Sequence, residues 1–424
     1  MKKGIIRIGM TLLLASGPIG CSGRAAALAA DIPITSEYFP DDAFREHLRN
    51  AFDLNKDLTL EEDEILAIKD IDLSYSEIES LKGIELFPNL EKLSITNCEI
   101  LSLDVSECKA LRVINCPDNN LRELIVNGCD DLEELDCEYN SLGSLDVSEC
   151  RNLRRLFCDS AELNELNVKG CFRLEYLDCS YNNLRCLDVS GCDALKWLMC
   201  KTNDLESLDI SVSLMLEELE CQYNSLTELS VRYNTRLRHL ICYSNQLKSL
   251  DTGYASALRE LDCAYNQITH LDLRCSCLLD ELRCSENPLT DLDLSWNTAL
   301  TELICEHAGL QHLDVRQNTK LSILHCSSNN LSELKLGENS ELSRLWCEDN
   351  RLQHLNLSHT PKLEDLVCWN NELKELDVSN LLFGGCVYID KNVIVTGADD
   401  NDIFIDYRSK QEEEMYPNYI EDME

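Results

Sequence analysis

The stretch Leu132-Glu133-Glu134-Leu135-Asp136-Cys137-Glu138-Tyr139-Asn140-Ser141-Leu142-Gly143-Ser144-Leu145-Asp146-Val147 holds two short runs in which apolar and polar residues alternate. Period-two alternation places every second side chain on one face, so each run reads as a strand half in a core and half in water. Cys137 is one of thirteen cysteines set at an unbroken 21-residue spacing: Cys116, Cys137, Cys158, Cys179, Cys200, Cys221, Cys242, Cys263, Cys284, Cys305, Cys326, Cys347 and Cys368. Leu stands five residues before every one of them, and Leu stands two before in every case except Ile114. Leu follows five residues after, except at Ile268. One such unit cannot bury its own leucines, so the units must stack as rungs of one continuous core.

The pattern resembles the leucine-rich-repeat family, in particular the nested 21-residue (IRREKO-like) bacterial class written L-x-x-L-x-C-x-x-N-x-L followed by L-D-V or L-D-L. The resemblance covers Ile68 to Asn380, and Ile68 to Leu90 is closer to an internalin-type repeat of different length. It implies a β-rich solenoid of about fourteen rungs with two short strands per rung, roughly 65 Å long at the ~4.8 Å strand spacing. The expected division is a signal peptide at 1–30, a helical N-terminal cap at 31–67, the solenoid at 68–380, a β C-terminal cap at 381–411 and an acidic tail at 412–424.

The first thirty residues carry Lys2, Lys3 and Arg7 before an apolar run from Ile8 to Ala15, then small residues, which is the pattern of an export signal. Two processing readings stand: cleavage after Ala27-Leu28-Ala29, which the flanking residues favour, or a lipid anchor on Cys21 within Pro18-Ile19-Gly20-Cys21. Either predicts a secreted or cell-surface protein. The run is too short to span a bilayer. With 77 acidic against 38 basic residues and a net charge of -39, the chain is a poor binder of nucleic acid, which needs a cationic face.

Twenty-four cysteines in an exported chain raise the question of disulfides. The ladder cysteines, however, take an inward strand slot, where a thiol packs as a small hydrophobe, and thirteen cannot pair completely. Zinc sites use clustered spacings rather than one Cys per rung. A second column, Cys108, Cys129, Cys150, Cys171 and Cys192, gives way to Asn234, Asn297, Asn318 and Asn339. It matches the family's Asn-or-Cys turn position and reads as structural, and the main Asn column that includes Asn140 and Asn182 is expected to bond turn backbone that would otherwise be buried unpaired. Cys186, Cys275 and Cys277 lie off the ladder and are expected to be exposed or paired.

Ahead of the repeats, Asp53, Asn55, Asp57 and Glu64 stand where an EF-hand-like calcium loop would place ligands one, three, five and twelve. Leu58 replaces the glycine of the sharp turn and should resist positive φ, so a metal-free cap is favoured over bound calcium. Beyond Asn380, Val387–Ile389, Val393–Val395 and Ile403–Tyr407 read as strands closing the far end.

Function must sit on outward positions, since packing fixes the inward ones. Phe157, Tyr176, Trp197, His239, Tyr243, Trp346 and Trp369 occupy outward slots around the Cys strand, and Tyr139, Tyr181, Tyr223 and Tyr265 recur before the Asn column. Aromatic residues edged with carboxylates suit a protein-binding surface. A carbohydrate or cell-wall ligand stacking on the tyrosines is the alternative, and a structural spacer a third. The second strand carries an outward Asp in most rungs, and like charges in register repel unless separated, hydrated or neutralised. On that face His270, Asp291 and His312 form either a polar ladder or a patch responsive to pH or divalent cations. No catalytic motif interrupts the repeats, so no enzymatic activity is expected.

Overall fold

The computed structural model describes residues 31–382, 384–398 and 403–408. The expected export signal with Cys21 and the expected acidic tail lie outside the described residues. Seventeen short strands make one parallel sheet along the molecule, from Asp70–Asp72 to Phe404–Arg408. Through the repeats each strand pairs with the equivalent residues of the next rung, as in Arg155↔Tyr176 and Tyr176↔Trp197. The first and last strands are not paired with each other, so the ladder is open, about 75 Å long at ~4.8 Å per step.

The interior is built as the period requires. Leu132, Leu135, Cys137 and their equivalents are fully buried rung after rung. Burial pushes the ladder thiols well above their ordinary pKa, so they stay as neutral hydrophobes. They are free thiols. Cys186, Cys275 and Cys277 are exposed.

Between rungs the Asn column acts as a polar bolt. Asn182 Nδ2 donates to the carbonyls of Cys158 (2.9 Å), Cys179 and Ser180 (3.0 Å each), while its Oδ1 accepts from Ala161 N (3.1 Å) and Leu163 N (2.8 Å). Asn140, Asn203 and Asn266 repeat the scheme, each reaching the carbonyl 24 residues back. The residue ahead of this position is left-handed in every ladder rung, with φ between 48° and 55° from Asp118 to Asn370. The second column works with different atoms: Cys129 Sγ donates to Val105 O (3.3 Å), and downstream Asn234 Nδ2 donates to Ile210 O (3.1 Å) and Ser213 O (2.9 Å).

The second strand forms in only part of the stack. It pairs at Ser102–Asp104 with Glu123–Ile125, Ser144–Asp146 with Glu165–Asn167, Glu228–Ser230 with Ser249–Asp251, His312–Asp314 with Glu333–Lys335, and Glu375–Asp377 with Ile394–Thr396. In these pairs Asp104 faces Ile125, Asp146 faces Asn167, Asp251 faces Ser230, Asp314 faces Lys335 and Asp377 faces Thr396; none faces another carboxylate. Where Asp follows Asp, from 188 to 209 and from 251 through 272 and 293 to 314, no such pairing forms. Facing like charges disfavour a ladder step, but pairing also lapses at Ile125 to Asp146, Asn167 to Asp188 and Lys335 to Asn356, where no two carboxylates face, so charge alone does not set the pattern. Leu187, Leu208, Leu271 and Leu292 still point inward. Most of these aspartates also close their own turns, as when Asp188 Oδ1 accepts from Ser190 N (3.0 Å).

The N-terminal cap comprises helices Asp42–Ala51 and Glu62–Ala67. Asp41 caps the first, accepting from Phe44 N (2.9 Å), and Phe39, Phe44 and Phe87 pack ring on ring over the first rungs. At the far end Cys386–Asp390 and Phe404–Arg408 prolong the main sheet in parallel, and Ile394–Thr396 prolongs the second. The expected closing strands therefore exist and extend the stack beyond fourteen rungs.

Candidate functional site

Outward side chains of the main sheet converge in one place. Phe157, Tyr176, Trp197 and Met199 line a depression of about 790 Å³ rimmed by Glu133, Arg154, Arg155, Glu175 and Glu218. Phe157 and Tyr176 come from adjacent rungs, one from each outward slot, and their ring centroids are 4.9 Å apart. The Lys196 ammonium stands 5.6 Å from the Trp197 ring centroid. Lys196 Nζ also bonds Glu175 Oε2 (2.6 Å), and Arg155 pairs with Glu134, so the rim cations are already engaged. Burial and nearby carboxylates push the Tyr176 hydroxyl up to about 12.

Beside the groove the face is crowded with acids. Burial raises Asp136 to about 6 despite an amide bond from Glu138, and raises Glu138 to about 7 with help from Asp159. Asp178 in the next rungs is raised for the same reason. These carboxyls lack enough cations to hold them ionised at their ordinary range.

Further along, His239 Nδ1 meets Glu260 Oε2 at 3.0 Å, and Tyr243 packs edge-on to Tyr223 at 5.1 Å. Tyr139, Tyr181, Tyr223 and Tyr265 are more than half exposed, projecting from the left-handed turn position rather than covering it. Trp369 is partly buried.

Trp346 requires a correction. Its ring stacks on His325 at 4.0 Å with planes 1° apart, its Nε1 donates to Asp365 Oδ2 (3.1 Å), and only 8% of it is exposed. The neighbouring rung supplies its partner, so little of the indole is left for another molecule. Beside it Glu348 is 5% exposed, its Oε2 has no hydrogen-bond partner, and burial raises it to about 7. Glu348 carries no special sequence signal; it occupies the same slot as Glu138 and Lys201.

Among the described residues no group of three or more His, Cys, Asp or Glu side chains is placed to hold a metal ion. His270 Nδ1 reaches Asp291 Oδ1 at 3.3 Å, both exposed, and His312 joins neither. The Asp53–Glu64 loop closes on its own amides. Asp53 Oδ2 accepts from Leu58 N (3.0 Å), Asn55 Oδ1 and Asp53 Oδ1 from Asp57 N, Asp57 Oδ1 from Thr59 N, and Glu64 Oε1 from Leu54 N (2.7 Å). Leu58 does take positive φ, at 68°, contrary to expectation; the amide bonds to Asp53 hold it where glycine would sit more easily.

Sequence reasoning missed one outward row. Val212, Tyr233, Tyr254, Cys275 and Trp296 occupy the same turn slot in five consecutive rungs, each exposed. The absence of acidic residues from the turns around them is the signal that would have found it.

Residues 39–158 match the family model of the leucine-rich-repeat domain of the endo-beta-N-acetylglucosaminidase EndoS. The chain is 31% identical to the functional domain of InlJ from Listeria monocytogenes, described as including a cysteine ladder, with a TM-score of 0.67 over 86% of this chain and 78% of that one. YopM from Yersinia enterocolitica is similar in fold at 24% identity and a TM-score of 0.68, over 83% of this chain and 72% of YopM. The plant peptide hormone receptor RGFR1, solved in complex with RGF2, shares the fold at 18% identity and a TM-score of 0.57, over 77% and 64% of the two chains. A search of curated protein sequences gave no match. No helix among the described residues is long and apolar enough to cross a membrane.

Proposed function

Because the chain belongs to the leucine-rich-repeat family that includes the cysteine-ladder domain of InlJ, we propose that it is an exported, non-enzymatic binding protein whose partner is a secreted or surface protein. The observation that carries this reading is the groove in which Phe157, Tyr176, Trp197 and Met199 come together on the main sheet. Aromatic side chains in a pre-formed hollow are the usual carriers of interface energy. Asp136, Glu138 and Asp178, raised first by burial and then by Asp159, favour a partner that sets basic side chains beside an apolar anchor, since an arriving cation stabilises their ionised forms.

The test is affinity capture from a surface-protein extract with the biotinylated chain, followed by surface plasmon resonance on the captured protein. Tyr176→Ala and Trp197→Ala should each weaken binding about 30-fold or more, as hot spots of ~2 kcal/mol do. Binding left unchanged by both would end the reading.

The exposed tyrosine column favours a second reading, in which a glycan stacks on Tyr181 and Tyr223. Saturable binding on a glycan array, lost in Tyr181→Ala and Tyr223→Ala, would replace the first reading. Intact mass of the exported chain tests signal cleavage and separates it from a lipid anchor at Cys21.

A further inference from the structure

We propose that the turn edge carrying Val212, Tyr233, Tyr254, Cys275 and Trp296 is a self-association surface, at which two copies of this chain meet about a two-fold axis. The proposal is independent of the groove and its partner. The row is straight because the rungs beneath it pair equivalent residue with equivalent residue, without a slip. It is also rigid. Each exposed residue precedes a buried one: Ser213 is 1% exposed, and Asn234, Ala255, Ser276 and Asn297 are fully buried. Asn297 Nδ2 bonds Leu273 O (3.1 Å) and Ser276 O (2.9 Å), and Ser276 Oγ bonds Ala255 O (3.3 Å), tying one rung's turn to the next.

The exposed members are large for a solvated edge. Tyr233, Tyr254 and Trp296 are 56%, 57% and 57% exposed, or ~100 Å² each. With the exposed Leu214 and Leu278 the apolar area reaches about 500 Å², toward the upper end of what a monomer ordinarily leaves in water. Covering it together with the flanking serines and guanidiniums gives about 800 Å² per copy, the size of a standard interface.

Charge identifies the occupant. The chain carries a net charge of -39, so two copies brought together on most faces oppose carboxylates to carboxylates. This edge is different: the turns 211–216, 232–237, 253–258, 274–279, 295–300 and 316–321 contain no Asp or Glu, and acids return only at Asp193 and Glu338. Two of the guanidiniums beside the row are neutralised at home, Arg232 by Asp251 (2.8 Å) and Arg274 by Asp272 (2.6 Å), and Arg232 lies over the Tyr254 ring at 5.7 Å, while Arg236 is exposed. Tyr254 is the midpoint of the row. A two-fold axis there sets Val212 against Trp296 and Tyr233 against Cys275 of the other copy, an isologous contact that closes at two.

Salt gives the proposal its sign. Long-range repulsion between two acidic chains is screened as the Debye length falls from about 10 Å at 0.1 M to about 3 Å at 1 M, so dimerisation must strengthen with salt. An anionic polymer or an acidic protein on the same edge would be released by salt instead. Sedimentation velocity of the full chain with thiols reduced should show a monomer–dimer equilibrium in the micromolar range that shifts to dimer with salt. Tyr254→Glu and Trp296→Glu should abolish the dimer with circular dichroism unchanged, while Tyr176→Glu in the groove should leave it intact. Alkylation provides a readout without mutation: the rate at Cys275 should fall as protein concentration rises, and the rate at Cys186 should not. A monomer at every concentration and salt, a dimer weakened by salt, a dimer that survives Tyr254→Glu, or a Cys275 rate independent of concentration overturns the proposal.

Discussion

Replacing Asn182 by Ala tests the idea that polar bolts, as well as buried leucines, hold the rungs in register. Asn182 is 8% exposed and makes five hydrogen bonds, three donated by Nδ2 and two accepted by Oδ1. In Asn182→Ala the amides of Ala161 and Leu163 lose the acceptor that the structure gives them, inside a turn that water cannot readily enter. Stranding two buried N–H groups at ~1–2 kcal/mol each, with three carbonyls left less satisfied, gives a loss of about 3–4 kcal/mol. Asn182→Asp separates hydrogen bonding from shape. It keeps the two accepting bonds but turns three donor contacts into oxygen facing oxygen, so it should cost at least as much as alanine. Urea unfolding followed by circular dichroism measures both, and hydrogen exchange at Leu163 N should accelerate in the alanine variant. Losses within about 0.5 kcal/mol for either variant, the scatter of an ordinary surface change, would refute the reasoning.

Three other outcomes follow from the same structure. Thr202 is a β-branched residue at φ 54°, so Thr202→Gly should stabilise the protein by about 1 kcal/mol in urea unfolding, and an equal loss would contradict the assigned strain. Glu348 is raised to about 7 in the fold from an ordinary 4.5, so its contribution is fully present below pH 4.5 and lost as pH rises through 7. Glu348→Gln should therefore match wild type in acid and exceed it by ~3 kcal/mol above neutrality, and a pH-independent difference would mean that the carboxyl is not buried in its acid form. The Asp53–Glu64 loop should give no heat and no thermal shift on calcium titration; a stabilisation lost in Asp53→Ala would restore the metal-bound reading.

Much of this was legible in the letters. The inward Leu and Cys columns and the Asn bolts follow from a period that admits one packing solution. What was not legible depends on neighbours in the next rung, remote along the chain. Trp346 reads as an exposed anchor within its own rung, and only His325 in the rung before it turns the indole into a buried stack. The second strand reads as uniform, yet it pairs in only five separate two-strand steps among the described residues. Leu58 shows the opposite failure: a local propensity against positive φ yielded to two carboxylate oxygens of Asp53. The row from Val212 to Trp296 leaves no mark in the strand pattern, because its residues sit in turns where packing constrains only the buried residue that follows each of them.

A sealed interior leaves only outer surfaces for recognition, and thiol alkylation of the native chain read by peptide mass spectrometry tests that interior most directly. Cys186, Cys275 and Cys277 should be modified quickly, while the evenly spaced ladder from Cys116 through Cys368 stays unmodified until denaturant is added. Modification of the ladder at the rate of Cys186 in the folded protein would contradict it.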